Sequence, residues 1–116
     1  METEQREIFY SPEYEDYYGG LPKKVQQKYD YVEQIIRTQR VVNQKFVKHL
    51  ENTFLYEARV STGGNEYRTI VFAIDSRSLV ESRSVLFLNS FLKKDTKQYG
   101  KEIDTAIRIL NRYTED

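Results

Sequence analysis

The sequence from residue 55 to residue 94, LYEARVSTGGNEYRTIVFAIDSRSLVESRSVLFLNSFLKK, carries the pattern of three consecutive β-strands. Apolar and polar side chains alternate over residues 55–60, which is the period of a half-buried strand. The cluster Thr62-Gly63-Gly64-Asn65 predicts a tight hairpin turn, because glycine tolerates the positive φ that such turns use. Apolar strands then follow over residues 67–74 and 84–91. An antiparallel meander is the most economical topology for these strands.

The segments on either side of this meander predict one further strand and three helices. Glu7-Ile8-Phe9-Tyr10 is a short strand, and Ser11-Pro12 then caps and opens a short helix that reaches about Tyr18. Leu21-Pro22 opens a second helix, and a C-terminal helix is predicted over residues 99–113. The second helix has one apolar stripe, formed by Leu21, Val25, Tyr29, Val32 and Ile36.

The predicted fold class is therefore α+β: a small antiparallel sheet of about four strands, packed by two N-terminal helices and a C-terminal helix. We expect the helices to lie against one face of the sheet and the other face to be open. The length of 116 residues fits one domain, residues 1–116, with residues 1–5 as a flexible leader.

Composition excludes several classes of protein. The absence of cysteine removes disulfides, thiolate nucleophiles and cysteine-ligated zinc. The single histidine, His49, is interpreted as a polar surface residue and not as part of a catalytic triad. The longest uncharged stretch, residues 84–92, is far shorter than the roughly 20 residues of a membrane span, and no secretion signal opens the chain. We therefore expect a cytoplasmic protein without a membrane, metal or cofactor partner.

The formal net charge is zero, with 18 lysines and arginines against 18 aspartates and glutamates, but the charges are unevenly distributed. The first twenty residues carry a net charge of −5, and the other 96 residues carry +5. This excess is small, so charge alone does not distinguish a nucleic-acid-binding protein from one with a mixed, solvated surface.

Basic residues on or beside the predicted strands form the best candidate site, because converging cations suit phosphate binding. Arg59 and Arg68 lie on neighbouring hairpin strands, and Tyr99 can stack on a base or transfer a proton. The other cations precede or follow the sheet: Lys45, Lys48, Lys93, Lys94 and Lys97. The alternative interpretation is structural, with Arg59 paired to Glu57 or Glu66 across the hairpin and the lysines solvated.

The order and spacing of these motifs resemble the HigB branch of the RelE/ParE toxins, over roughly residues 6–113. Members often read "LYELRV … YR … LLxGFxKK" and then "EI…A" in a C-terminal helix, with "KxLE" before the hairpin. The matching segments here are Lys48-His49-Leu50-Glu51, Leu55-Tyr56-Glu57-Ala58-Arg59-Val60, Tyr67-Arg68, Val85-Leu86-Phe87-Leu88-Asn89-Ser90-Phe91-Leu92-Lys93-Lys94, and Glu102-Ile103 with Ala106.

The resemblance implies the toxin of a type II toxin–antitoxin pair, acting as a ribosome-dependent mRNA endonuclease. In such toxins the ribose 2′-hydroxyl attacks the adjacent phosphate without a metal, leaving a 2′,3′-cyclic phosphate and a free 5′-hydroxyl. The implied partners are the ribosome, mRNA and a helix-turn-helix antitoxin similar to HigA, with no direct binding of DNA by the toxin.

The resemblance also implies roles for individual residues. Arg68 would stabilise the phosphate, Lys93 or Lys94 would bind it, and Glu57 or Tyr99 would transfer the proton. Arg59 falls on the strand where relatives keep catalytic lysines or other polar groups. The full catalytic set is Arg68, Arg59, Glu57, Lys93 and Tyr99, and the RNA- and phosphate-binding set is Lys94, Lys97, Lys45 and Lys48. Asn89 stands where many relatives have histidine, which removes one general base, and Asp95 and Tyr99 also depart from the family pattern.

Two alternatives stay open at this point. One is a gyrase inhibitor of the ParE type, although the ending Phe91-Leu92-Lys93-Lys94 favours HigB. The other is a non-catalytic module that binds a protein, since ten tyrosines suit an interface as well as an RNA surface.

Overall fold

A computed structural model describes residues 4–114, which form three helices and one five-stranded sheet. In chain order the elements are β1 (Glu7–Tyr10), α1 (Pro12–Gly19), α2 (Lys23–Thr38), β2 (Val47–His49), β3 (Tyr56–Thr62), β4 (Asn65–Ala73), β5 (Ser84–Lys93) and α3 (Gln98–Thr114). The predicted leader, residues 1–5, lies partly outside the described residues. None of the three helices is long and apolar enough to cross a bilayer.

The strand order in the sheet is β1-β5-β4-β3-β2. β3, β4 and β5 form the predicted antiparallel meander, and the β3–β4 turn places Gly63 and Gly64 at φ values of 59° and 80°. β1 pairs with β5 in parallel, so the first strand lies beside the last one. The predicted α+β class is confirmed. The sheet exceeds the predicted four strands because β2, three residues long, pairs with β3.

The helices cover both faces of the sheet, so the expectation that they share one face is wrong. α1 and α2 pack on one face, where the core includes Tyr14, Tyr29 and Phe87. α3 packs on the other face, where Leu88 and Ala106 are in the core. The physical reason is that β4 and β5 are apolar at consecutive positions, which buries both of their faces.

A β-bulge in β5 sets the direction of the side chains near the end of that strand. Ile70 is paired with Asn89 while Val71 is paired with Phe87, which leaves Leu88 as the additional residue. Leu88 and Asn89 therefore both face α3, where Asn89 Nδ2 donates to the Glu102 carbonyl at 3.1 Å. The residues after the bulge resume regular pairing, with Phe91 opposite Arg68 and Lys93 opposite Glu66.

Arg6 is a buried cation that joins the start of β1 to the end of α2. It is 2% exposed, its Nε donates to the Leu79 carbonyl at 3.0 Å, and its Nη1 donates to the Ile36 carbonyl at 2.9 Å. Burial lowers the pKa of its guanidinium. The carbonyl groups at the C-terminal end of α2 carry partial negative charge, so they supply the electrostatic partner for this cation.

Candidate functional site

Arg59 and Arg68 meet a buried glutamate on the α3 face of the sheet. The pairing of β3 with β4 places Arg59 directly opposite Arg68, and Glu57 precedes Arg59 by two residues on the same face. Arg59 Nε donates to Glu57 Oε1 at 2.9 Å, and Arg68 Nε lies 3.7 Å from the same oxygen. The pairing of Arg59 with Glu57 that the sequence offered as a structural alternative is thus present.

The two carboxylate oxygens of Glu57 have different surroundings. The Glu57 side chain is 3% exposed, and within residues 4–114 its Oε2 accepts no hydrogen bond. Buried polar atoms almost always have a hydrogen-bond partner, and an unpartnered one costs free energy. The Glu57 carboxylate is therefore held through Oε1, the oxygen that faces the two arginines.

Tyr99, in the first turn of α3, completes the site. Its hydroxyl accepts a hydrogen bond from Arg68 Nε at 3.2 Å, and its ring packs edge-to-face on Phe91 with centroids 5.7 Å apart. Lys93 Nζ lies 5.8 Å from the ring centroid. Burial, and next the neighbouring Glu57 carboxylate, raise the pKa of the Tyr99 phenol, so it is protonated at neutral pH and can act as a donor. We name Glu57, Arg59, Arg68 and Tyr99 the Glu57 cluster.

Arg68 is the enclosed cation of the Glu57 cluster, and Arg59 is the accessible one. The Arg68 side chain is 6% exposed, whereas that of Arg59 is 29% exposed. Arg68 Nη1 also lies 3.2 Å from Glu66, which sequence reasoning had offered only as a partner of Arg59. The Ser61 hydroxyl and then Arg68 lower the pKa of Glu66. Arg68 is therefore a buried residue that contacts the other side chains of the site, whereas the Arg59 side chain is exposed enough to contact a ligand.

The lysines predicted to bind RNA and phosphate lie in three different parts of the fold. Lys48 lies opposite Glu57 in the β2–β3 pairing and is exposed on the face that carries the Glu57 cluster. Lys94 and Lys97 are exposed in the connection between β5 and α3, close in sequence to Tyr99. Lys45 lies elsewhere, with its Nζ 5.6 Å from the centroid of the Phe46 ring, against α2.

His49, the single histidine of the sequence, is not a member of the Glu57 cluster. His49 is exposed, and its Nε2 lies 2.6 Å from the Thr53 carbonyl oxygen. Across residues 4–114, no three side chains of the metal-ligating types are grouped so that they could hold an ion.

A separate polar cluster on the α2 face was missed by sequence reasoning. Glu33 accepts hydrogen bonds from the hydroxyls of Tyr14, at 2.9 Å, and Tyr10, and Arg37 Nη2 lies 4.0 Å away. Burial, and then the bond to Glu33, raise the pKa of Tyr10 to about 12. The side chains around Glu33 come from β1, α1 and α2, which are separate in sequence. The one local signal was the four-residue spacing of Tyr10, Tyr14 and Tyr18, which could have indicated that these tyrosines lie on one surface.

A family model described as phage derived protein Gp49-like (DUF891) matches residues 16–111. The matched segment contains the whole Glu57 cluster and all of the predicted lysines. No curated protein and no solved structure gives a significant match to the chain.

Proposed function

Because the chain belongs to the Gp49-like family of phage-derived proteins, which is of the RelE/ParE toxin-like type, we propose that it is the toxin of a toxin–antitoxin pair. The proposed activity is ribosome-dependent cleavage of mRNA by metal-independent attack of the ribose 2′-hydroxyl. The observation that carries the proposal is the Glu57 cluster, in which two arginines, a buried carboxylate and a tyrosine hydroxyl converge at one point of the sheet.

The proposed reaction has three requirements. The 2′-hydroxyl loses a proton as its oxygen forms a bond to phosphorus, the bond from phosphorus to the 5′ oxygen breaks, and that oxygen takes up a proton. The pentacoordinate phosphate between these states carries extra negative charge, which fixed cations stabilise. A site for this reaction therefore needs cations that reach the phosphate and a group that exchanges a proton.

The Glu57 cluster, together with the neighbouring Lys93, supplies both the cations and the group that exchanges a proton. Arg59, the accessible arginine, and Lys93, beside the Tyr99 ring, bind the scissile phosphate. Tyr99 donates its phenol proton to the leaving 5′ oxygen, a role that its raised pKa suits, and regains a proton from solvent, while the proton of the 2′-hydroxyl passes to a water molecule. Arg68 orients the Tyr99 hydroxyl, and Glu57 is a positioning residue that holds both guanidinium groups.

Within this proposal the chain is of the HigB type, and its antitoxin is a helix-turn-helix protein. The support for this finer assignment is the basic pair Lys93-Lys94 at the end of β5, beside Tyr99. Exposed lysines add positive charge that ribosomal RNA would meet: Lys48 on the face of the Glu57 cluster, and Lys94 and Lys97 close in sequence to Tyr99.

The experiment is to add the purified protein to a bacterial translation reaction and to map new mRNA 5′ ends. Arg59→Ala is the test variant, and Arg108→Ala, which removes an exposed arginine from α3, is the matched control. Ribosome-free RNA is incubated in parallel. We expect cuts in phase with A-site codons for the wild type and Arg108→Ala, and a loss of about a hundredfold or more for Arg59→Ala.

Two outcomes would contradict the proposal. Cleavage at an unchanged rate by Arg59→Ala would contradict the assignment of Arg59 as the cation that binds the scissile phosphate. No cleavage by folded wild-type protein would exclude the endonuclease, and DNA supercoiling by gyrase would then be assayed to test inhibition of the ParE type.

A further inference from the structure

A second positively charged surface adjoins the Glu57 cluster on the other side of the sheet edge. It is a groove of about 220 Å³ between α2 and the edge formed by β2 and β3. Two lysines and two aromatic residues line it, Lys28, Lys45, Tyr31 and Phe46, together with Arg59, whose guanidinium is bonded to Glu57 on the other face of the sheet. We call this surface the Tyr31 groove.

The Tyr31 ring is accessible, the Phe46 ring is half-buried against the core, and both have an ammonium group nearby. Tyr31 is 56% exposed, so its ring is not held in the core. Lys28 Nζ lies 5.7 Å from the Tyr31 ring centroid, and the Phe46 ring meets Tyr31 edge-to-face at 6.0 Å. An exposed ring with cations at its margin presents a stacking surface and charges for an anion in the same place.

The charge of the Tyr31 groove selects for an anionic ligand. None of the residues that line it carries a carboxylate. The other tyrosine-walled cleft, about 410 Å³ between α1 and α2, is lined instead by Glu15, Asp30 and Glu33. The two clefts thus have opposite charge, although both have aromatic walls, and only the Tyr31 groove suits phosphate groups.

Arg59 connects the Tyr31 groove to the Glu57 cluster. The pairing of β2 with β3 ends at Ala58, and the Arg59 N–H then donates to the Phe46 carbonyl at 2.7 Å. Arg59 lines the groove, while its Nε binds Glu57 on the other side of the sheet. The Tyr31 groove and the Glu57 cluster therefore meet at Arg59, at the edge of the sheet.

We propose that the Tyr31 groove binds single-stranded RNA beside the nucleotide held by the Glu57 cluster. One base stacks on the Tyr31 ring, and Lys28 and Lys45 contact the phosphates on either side. The inference rests on the proposed function. A single strand is required because the bases of a duplex do not offer their faces to a side chain. An acidic protein segment would use the two lysines but would leave the exposed Tyr31 ring without a stacking partner.

The test measures binding of a short, fluorescently labelled oligoribonucleotide, protected from cleavage by 2′-methoxy groups, by fluorescence anisotropy. Tyr31→Ala should raise the Kd about tenfold, because stacking of one base is lost. Tyr113→Ala is the matched control, since Tyr113 is 52% exposed and lies on α3 away from the groove. Its Kd should equal that of the wild type.

Salt dependence gives an independent readout. Lys28→Gln should lower the slope of log Kd against log salt concentration by about 0.7, the value for one phosphate contact with a single strand. Lys23→Gln, which removes an exposed lysine from the start of the same helix, should leave the slope unchanged.

Each result decides for or against the groove. Absence of oligonucleotide binding by the wild type, or equal Kd values for Tyr31→Ala and Tyr113→Ala, would overturn the inference. Binding of an acidic peptide in preference to RNA would overturn it in favour of a protein interface. Tyr31-dependent RNA binding by a protein that does not cleave mRNA would support the groove and contradict the proposed function. If Tyr31→Ala leaves both mRNA cleavage and RNA binding unchanged, the proposed function is supported and the inference about the groove is contradicted.

Discussion

Arg59 and Arg68 occupy directly opposed positions in β3 and β4, and both guanidinium groups form an ion pair with Glu57 Oε1, to which Arg59 Nε donates at 2.9 Å and from which Arg68 Nε lies 3.7 Å. Like charges that face each other across a strand pair are destabilising by themselves. The buried carboxylate offsets this repulsion and holds both cations at one point. The hairpin and the candidate site thus depend on the same side chain.

Replacement of Glu57 by glutamine should lower the free energy of unfolding by about 3 kcal/mol, because it leaves two opposed guanidinium groups without their buried anion. Glu66→Gln is the control, since that side chain is 46% exposed and its pair with Arg68 is screened by solvent; it should cost less than about 1 kcal/mol. Urea unfolding of both variants measures the difference. Equal losses would show that Glu57 does not stabilise the hairpin as an anion.

Tyr99→Phe should reduce the rate of A-site cleavage by a factor of about 10² to 10⁴, which is the usual contribution of proton transfer by a side chain. The ring keeps its contact with Phe91, but the Arg68 Nε donor loses its acceptor, so the unfolding free energy should fall by about 1–3 kcal/mol. Rates of appearance of new mRNA 5′ ends and urea unfolding are measured together. Tyr113→Phe provides the control. A fully active Tyr99→Phe protein would remove Tyr99 from the reaction.

Stability should fall as the pH rises from about 10 to about 12, in part because of Tyr10. Burial and Glu33 raise the pKa of Tyr10 to about 12 in the folded protein, whereas the unfolded chain loses that proton near its ordinary value of about 10. Proton release by the unfolded state alone favours unfolding over this range. Urea midpoints at about pH 9 and about pH 11 should differ more for the wild type than for Tyr10→Phe. Identical differences would exclude a contribution from Tyr10.

Ser11→Ala should lower the free energy of unfolding by about 1–3 kcal/mol. Ser11 Oγ accepts the Tyr14 N–H at 3.0 Å as the N-cap of α1, and the same hydroxyl donates to the Leu88 carbonyl in β5. Both bonds are buried, so alanine leaves two groups without partners. Ser61→Ala, at an exposed position, serves as the control in the same urea titration. A loss no greater than that of Ser61→Ala would contradict the assignment.

Local patterns identified most of the elements. The alternation over residues 55–60, the Gly63-Gly64 turn, the Ser11 cap and the apolar stripe of α2 are each set by residues close together in sequence. β2 was missed because a strand of three residues is too short to show a recognisable alternation of apolar and polar side chains. The parallel pairing of β1 with β5 joins residues about 77 positions apart, and no local signal encodes such a contact.

The candidate site could be predicted only in part. Alternation and the hairpin turn place Arg59 opposite Arg68, so their proximity follows from the sequence. The burial of the Arg68 and Glu57 side chains does not follow from the sequence, because it depends on how α3 crosses the sheet face. Lys45 and Lys48 were grouped as neighbours, yet Lys48 faces the Glu57 cluster and Lys45 lines the Tyr31 groove, since the short strand β2 begins between them.

The pairing of β1 with β5 also has a consequence for the order in which the protein is made. β1 leaves the ribosome first, but its partner strand is synthesised only after β2, β3 and β4. Contacts between distant parts of a chain form late, because the intervening loop must close first. In a nascent chain whose synthesis has not yet reached β5, β1 therefore lacks the strand with which it pairs. Synthesis itself delays assembly of the Glu57 cluster until Tyr99 and α3 have emerged.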